Sequence, residues 1–554
     1  MMNDLVVLED ESIIINKTYN KAKDNHNYLF LDITNNRNDL LESFDLVVSD
    51  KKINTIVNLV PNERKVISLL IDNLEFESIH INNISTKEYI TKSNTIDMTK
   101  GNIKSIILRF ALPIFLSSLF QQLYNTIDSL IVGKFVGREA LAAVSSSGNL
   151  IHLFTSFFLG TAMGSGVLIS KYFGAKDYKK MSKAIHNNIA LGVVSSVLLT
   201  IIGVLFSPII LKWMRIDSNV LPNSIEYFKY YFLGCTAIIM YNILSSTLNA
   251  VGNSKRSLVY LIISSCLNVI LDLFFIAYLG GSVKEAAIAT TISQFVSVIL
   301  CFIHMFKKKN IYHIEIRKIC FDKEMIVGVL KYGLPSGVQN SVIGLANVIV
   351  QSNINVFGAS ATAGCGSYSK VEGFAFLPVN SFTMAISTFI SQNLGAHEFE
   401  RAKKGARFGI ISSITIAELI GLIIFIFAPT LIGLFSDEAL VIEYGTNYSR
   451  TTSLFFFLLS YSHSIAAVCR GSGKAIVPMI IMLSVWCILR VTYISIIMSF
   501  TDDIQNVFIA YPLTWGISSI IYFIYYYKSD WIHNFEMEKT HKYTHTVHMS
   551  KFNK

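Results

Sequence analysis

The chain has 554 residues, 52% of them hydrophobic and 15% charged, with a mean hydropathy of +0.48 and a net charge of +9. Residues 1–95 hold 10 Lys and Arg against 15 Asp and Glu, a net of −5, so the remainder carries +14. A single soluble domain is excluded: an acidic leader precedes a stretch, Ile106 to Tyr527, in which apolar runs of 20 or more residues recur, each long enough to cross a ~30 Å hydrocarbon core at about 1.5 Å per residue.

The leader alternates apolar runs such as "NYLFLDI", "FDLVVSD" and "INTIVNLV" with Asn-rich turns. Its segment "PNERKVISLLIDNL" predicts a short helix with Asn62 near the cap. A small soluble α/β extension of unknown function is therefore expected over residues 1–95. Its acidity argues against a nucleic-acid partner, and its first 30 residues lack the apolar stretch of a signal peptide.

Twelve spans follow, at about 106–132, 141–170, 185–208, 224–249, 257–279, 285–306, 325–352, 361–391, 406–434, 442–469, 476–499 and 505–527. The loops after the even-numbered spans carry 19 Lys and Arg; those after the odd-numbered spans carry 5. By the positive-inside rule the first set is cytoplasmic, and so are both termini. The seven Cys lie mostly within spans, and no C-x-x-C occurs, so neither a disulfide framework nor a metal site is expected. The tail after 528 is basic and holds His541, His545 and His548; a solvated tail is the simpler reading, since no apolar face accompanies them.

The chain repeats itself. "ISKYFGAKDYKKMSKA" (Ile169–Ala184) resembles "ISQNLGAHEFERAKKG" (Ile390–Gly405) at an offset of 221 residues, which also pairs Tyr227 with Tyr448 and Gly252 with Gly473. Pro113 pairs with Pro335 one residue further on. Each half holds six spans, an even number, so the halves are parallel repeats about an axis along the membrane normal. The expected fold is an all-α polytopic membrane protein of two six-helix lobes, 96–310 and 311–528, followed by the tail 529–554. Two such bundles leave a cleft between them, as in secondary transporters. The sequence holds no G-x-x-x-x-G-K-[ST] for nucleotide drive, and no H-E-x-x-H or nucleophile–base set for an enzyme.

Acidic residues inside spans are the strongest functional signal. Asp128 lies in span 1. Asn268 and Asp272 stand four residues apart in span 5 ("CLNVILDLFF"), on one helical face. Thr290 lies near the start of span 6 ("AAIATTISQF"). Counting from the helix ends puts Asp128, Asp272 and Thr290 about 8–12 Å below the outer surface. Two carboxylates at one depth in a low-dielectric bundle cannot both stay ionised without a counter-cation, so a proton or a Na⁺ is the expected coupling ion, and no other cofactor. The bland alternative is that each Asp hydrogen-bonds a neighbouring Ser, Thr or Asn. Weaker candidates lie in the second lobe: Glu372 in span 8, with Lys370 as a possible partner, and the uncharged Asn340 in span 7. His463 is read as a core residue and Arg490 as neutralising one of the glutamates, while Glu418, mid-span 9 without a sequence partner, is assigned no role.

With these residues in view, "IDMTKGNIKSIILRFALPIFLSSLFQQLYNTIDSLIVGKFVGREALAAV" resembles the start of multidrug and toxic compound extrusion (MATE) transporters, and "NVILD", "AAIATTISQ" and "SQNLGA" match further along. The resemblance covers roughly Ile96 to Lys528 and looks more like the DinF and MepA-like branches than the NorM branch. It implies export of amphipathic, often cationic drugs in exchange for H⁺ or Na⁺, by a monomer in the bacterial plasma membrane. It also implies a first-lobe coupling site at Asp128, Asn268, Asp272 and Thr290. The NorM branch has acids in spans 7 and 10. Here Asn340 stands at the span-7 position and span 10 has none, so a second-lobe cation site of that type is not expected. The main rival is a lipid-linked saccharide flippase of the same superfamily; twelve spans and paired acids favour cationic cargo.

Overall fold

The computed structural model describes residues 95–213, 221–308 and 310–535, and within the leader the backbone of seven strands. The histidines of the tail lie outside the described residues. Strands and helices form separate compact units. The strands are β1 (Asp4–Val7), β2 (Ile13–Lys21), β3 (Asn27–Asn35), β4 (Leu40–Val48), β5 (Lys51–Leu59), β6 (Arg64–Ile71) and β7 (Ile79–Lys87). They pair antiparallel in two sheets, ordered β1-β2-β3-β6 and β5-β4-β7. The α/β expectation is met only in its strands. The helix expected in "PNERKVISLLIDNL" is instead β6, set against β3 with Leu29 opposite Leu69 and Leu31 opposite Ile67. Its six-residue core "VISLLI" is too short for apolar periodicity to separate strand from helix, and the neighbouring strand decides.

All twelve spans are helical. Eight are each long and apolar enough to cross a membrane: span 1 (Ile103–Val136), span 3 (Tyr178–Ile209), span 5 (Ser254–Tyr278), span 6 (Val283–Met305), span 8 (Ala359–Gly395), span 9 (Phe399–Gly433), span 11 (Ile476–Ile497) and span 12 (Gln505–Lys528). Spans 4 and 10 are broken, Leu221–Leu233 with Cys235–Ala250 bent by 47° and Ala439–Ser453 with Phe456–Gly471 bent by 55°. Spans 2 (Arg138–Gly174) and 7 (Lys323–Asn355) are 37 and 33 residues long, enough to cross. Span 7 carries several amides, Gln339, Asn340, Asn347 and Gln351, and spans 2 and 7 pack against each other at the contact between the lobes.

The repeat is written into the backbone. Turns from span 1 to 2 and from span 7 to 8 use Gly137 (φ 118°) and Gly358 (φ 96°), a conformation that disfavours any side chain. Lys176 (φ 55°) and His397 (φ 60°) make the equivalent left-handed turns after spans 2 and 8. Ser170 Oγ donates to Ala250 O at 3.0 Å, and Ser391 Oγ to Gly471 O at 2.7 Å. Each of these pairs is 221 residues apart.

Among the described residues, the hydrogen bonds between lobes gather at the end of the bundle that bears the basic loops. The strap before span 1 is one clasp. Met98 is fully buried; its N–H donates to Gln392 Oε1 at 3.1 Å, and its carbonyl accepts from Asn393 Nδ2 at 3.2 Å. Arg401 donates to the carbonyls of Met98 (3.0 Å), Lys100 (2.9 Å) and Gly101 (2.8 Å). The linker before span 7 is the other clasp, seated on span 3: Glu315 N–H donates to His186 Nε2 at 2.9 Å, and Asn187 Nδ2 to Asp322 O at 3.2 Å. Each strap thus locks onto the third span of the opposite lobe. Arg401 alone satisfies three carbonyls with charge-assisted bonds, so Arg401→Ala is expected to free the first strap. In a Met98→Cys variant, thiol labelling should then rise severalfold over the Met98→Cys parent.

Between the clasps the helices touch backbone to backbone. A Cβ on Gly164 would lie 2.1 Å from Gly333 Cα, and one on Gly160 2.4 Å from Gly337 N. A Cβ on Gly174 would lie 1.9 Å from Gln392 O, and one on Gly395 2.1 Å from Lys171 O. Gly160-x-x-x-Gly164 and Gly333-x-x-x-Gly337 form the small-residue faces that let membrane helices approach closely.

Candidate functional site

Span 1 delivers Asp128 to the interior of the first lobe, 8% exposed. Immediately beyond it the helix widens into a π turn, Val132–Val136. Span 5 delivers Asp272, fully buried, as the last residue before a second π turn, Leu273–Tyr278. Such insertions re-aim side chains and recur at functional sites. Here each lies directly past an acid, and the two carboxyl groups come within hydrogen-bonding reach of one another.

Asn268 sits one turn before Asp272, 1% exposed, and its Nδ2 donates to Thr290 Oγ1 of span 6 at 3.4 Å. The structure therefore brings together the four first-lobe residues singled out in the sequence. Among the described residues, no Lys or Arg acts on either acid. Asp128 Oδ1, Asn268 Oδ1 and both oxygens of Asp272 are buried without a hydrogen-bond donor among the described residues. The site is thus a set of buried oxygen acceptors contributed by spans 1 and 5, at a place where unpaired acceptors are costly. The bland alternative, in which each Asp is satisfied by a neighbouring Ser, Thr or Asn, does not describe these oxygens.

Aromatic and amide groups that sequence reasoning passes over complete the surroundings. Tyr124, one turn before Asp128, lies close to Gln121 and Gln294 and in the field of both acids. Tyr227, buried in the first half of span 4, lies beside the same acids, with Tyr231 at 6.0 Å between ring centroids. Four-residue spacing is a signal that finds two of them: Tyr124 precedes Asp128 by four, and Gln294 follows Thr290 by four. Nothing in the sequence ties span 4 to the site.

The second lobe is organised differently. Glu372 is half-buried and faces Arg490 of span 11, not Lys370, which lies over the Phe435 ring at 5.6 Å. Arg490 is buried, donates through Nε (3.1 Å) and Nη2 (2.8 Å) to Thr514 Oγ1, and stacks on Tyr511 at 4.4 Å. Glu372 thus has a fixed counter-charge that the first-lobe acids lack. Asn340 is half-buried, and no hydrogen bond links it to Glu372. Glu418 acts locally, accepting the N–H of Phe457 at 3.0 Å next to the break in span 10, where a helix N-terminus leaves donors free. His463 packs between the rings of Phe376 and Trp486, with Nε2 unpartnered among the described residues.

Two lobes of six helices, sealed against each other at one end, with an acid pair inside one lobe, define a two-repeat membrane transporter. The MatE family model matches residues 113–274 and 335–495, one segment in each lobe. "Probable multidrug resistance protein YoeA" of Bacillus subtilis is 28% identical over 428 residues, 75% of this chain and 92% of that protein. "Multidrug export protein MepA" of Staphylococcus aureus is 22% identical, over 68% of this chain and 83% of its own length. A solved structure titled "Outward-facing conformation of a multidrug resistance MATE family transporter of the MOP superfamily" superposes with a TM-score of 0.73 at 22% identity, covering 78% of this chain and 97% of that one. The solved structure of a MOP superfamily transporter from Pyrococcus furiosus, in which reverse polarity of the binding pocket suggests a different function for that protein, gives 0.74 at the same identity and coverage. The chain belongs to the MatE family of transporters.

Proposed function

We propose that this transporter is a secondary active multidrug antiporter of the bacterial plasma membrane. It exports amphipathic, often cationic compounds in exchange for H⁺ or Na⁺ by rocking its lobes, with both termini in the cytoplasm. One observation carries the reading: Asp128 and Asp272, from spans far apart in sequence, meet in a buried place with neither a counter-charge nor a donor for most of their oxygens. The names of the relatives as multidrug proteins support the cargo class.

In the proposed orientation the clasped end is cytoplasmic, so this is the state open to the outside. A proton or Na⁺ arriving from outside is taken up between the two carboxylates, with Asn268 and Thr290 supplying further oxygens for a metal cation. Loss of like-charge repulsion lets spans 1 and 5 close together, and the π turns past each acid give the slack for repacking. Cargo leaves outward, the lobes rock, and the ion leaves inward. Each charge moved across 100 mV contributes about 2.3 kcal/mol.

Efflux measured in inside-out vesicles, with pH and Na⁺ gradients imposed separately, tests this. Efflux of ethidium is expected to follow one of the two gradients. Efflux indifferent to both would overturn the antiport reading.

A further inference from the structure

A second polar constellation lies outside the acid site, at the seam of the two lobes just inside the clasped end. Arg470, near the end of span 10, is 6% exposed. Its guanidinium makes no hydrogen bond among the described residues, and Nε is buried without an acceptor. The groups that act on its charge are Tyr522 and Cys469; no Asp or Glu is among them. A guanidinium stays charged in any protein environment, and an unpaired buried charge is among the costliest features a fold can hold.

Arg470 lines a cavity of ≈ 30 Å³, room for one small ion or one water molecule. The first lobe contributes Gly166, Ser246 and Ala250 to the wall; the second contributes Ser387 and Thr388 beside Arg470. Ser246 is already committed, donating to Ala162 O at 2.6 Å. The Ser387 and Thr388 hydroxyls, by contrast, have no hydrogen-bond partner among the described residues. A guanidinium and two hydroxyl-bearing residues, none with a side-chain hydrogen bond among the described residues, thus line one space the size of a small ligand, with no carboxylate in its lining. The repeat does not demand this charge: Asn249 stands in the first lobe where Arg470 stands in the second.

We propose that this cavity binds a compact monoanion, held by Arg470, Ser387 and Thr388, supplied either as a free halide ion or as the carboxylate of an amphipathic cargo. Both lobes build the wall, so the anion fits only while the clasped end is shut, and its binding favours that state by mass action. The proposal stands apart from the acid pair, because it concerns an equilibrium that is read without transport.

The test uses the purified full-length protein in lipid nanodiscs at constant Na⁺ and ionic strength, with gluconate replaced stepwise by bromide. Melting temperature gives the binding curve, and anomalous scattering from bromide in crystals gives the position. Wild type is expected to show a saturable rise of several degrees, with bromide beside the Arg470 guanidinium. Ser387→Ala and Thr388→Val should each weaken the midpoint severalfold, and Arg470→Gln should remove the response. If Arg470→Gln does not fold, the two hydroxyl variants decide. In the second arm, a zwitterionic quinolone is compared with its methyl ester in gluconate. Protection by the acid alone, lost in the same variants, identifies a cargo carboxylate as the source. No saturable response to either anion, or a response unchanged in the hydroxyl variants, overturns the proposal.

Discussion

Asp272→Asn is expected to abolish uphill efflux while raising the melting temperature. Asp272 is fully buried, neither of its oxygens has a donor, and the nearest charged group is the Asp128 carboxyl. An amide there removes the like-charge conflict and donates a hydrogen bond to Asp128. A buried unsatisfied acceptor costs about 1–3 kcal/mol, so relief should show as a melting temperature several degrees higher. Transport goes the other way. An amide mimics the protonated acid but cannot release its proton, so the site no longer changes charge and the electrochemical drive is uncoupled. A fall of about 100-fold corresponds to only ~2.7 kcal/mol, little more than one charge crossing 100 mV provides. Resistance of a drug-sensitive host should drop to the level of cells without the transporter. Asp128→Asn should lose transport as fully with a smaller gain in stability, because Asp128 is 8% exposed and only its Oδ1 is both buried and unpartnered. The double variant should transport no worse than either single one, since groups acting as one unit are not additive. Full resistance in Asp272→Asn would sink the coupling scheme.

The acids are legible in the sequence because hydrocarbon makes any carboxylate conspicuous, and the repeat because its glycine and serine turns keep a fixed offset. What the sequence hides is instructive. Span 5 reads as one helix, yet it widens into a π turn immediately after Asp272. Backbone hydrogen bonds that skip one residue leave no compositional trace. Tyr227 stands out in the sequence only as the repeat partner of Tyr448. That it lies in the field of Asp128 depends on how span 4 packs in the lobe, which a hydropathy profile does not show. Arg490 and Glu372 can be paired by sign alone, but the geometry of Thr514 and Tyr511 around the guanidinium cannot be foreseen. Arg470 looks like an ordinary basic residue at a span end. Its isolation emerges only when the lobes close over it. In the leader, a six-residue apolar run fits strand and helix equally, and pairing with β3 settles it.

The second large effect concerns the sealed end. Gly164→Ala and Gly174→Ala are each expected to cut efflux about tenfold or more without reducing the amount of folded protein. The added methyl would lie 2.1 Å from Gly333 Cα in the first case and 1.9 Å from Gln392 O in the second. Both obstacles are backbone of the opposite lobe, which cannot rotate aside as a side chain can, so the helices must separate. Overpacking of this kind typically costs about 1–3 kcal/mol, but here the cost falls on one state. With the lobes parted at this end the methyl meets nothing, so the penalty shifts the balance about 5- to 150-fold toward the state open at the clasped end. A transporter held there binds cargo and fails to release it on the far side. Distance measurements between spin labels across the clasped end should show the longer population rising in both variants. Gly366→Ala is the control: a Cβ there meets nothing within 4 Å, and transport should be unchanged. Gly395→Ala should match Gly174→Ala, because the two glycines are repeat partners and each faces the carbonyl of the residue three before the other, Lys171 or Gln392. Equal effects at those two positions would show that the two halves of the seal carry the same load, and a silent Gly395→Ala would show that the seal is borne by one side of the molecular pseudo-axis.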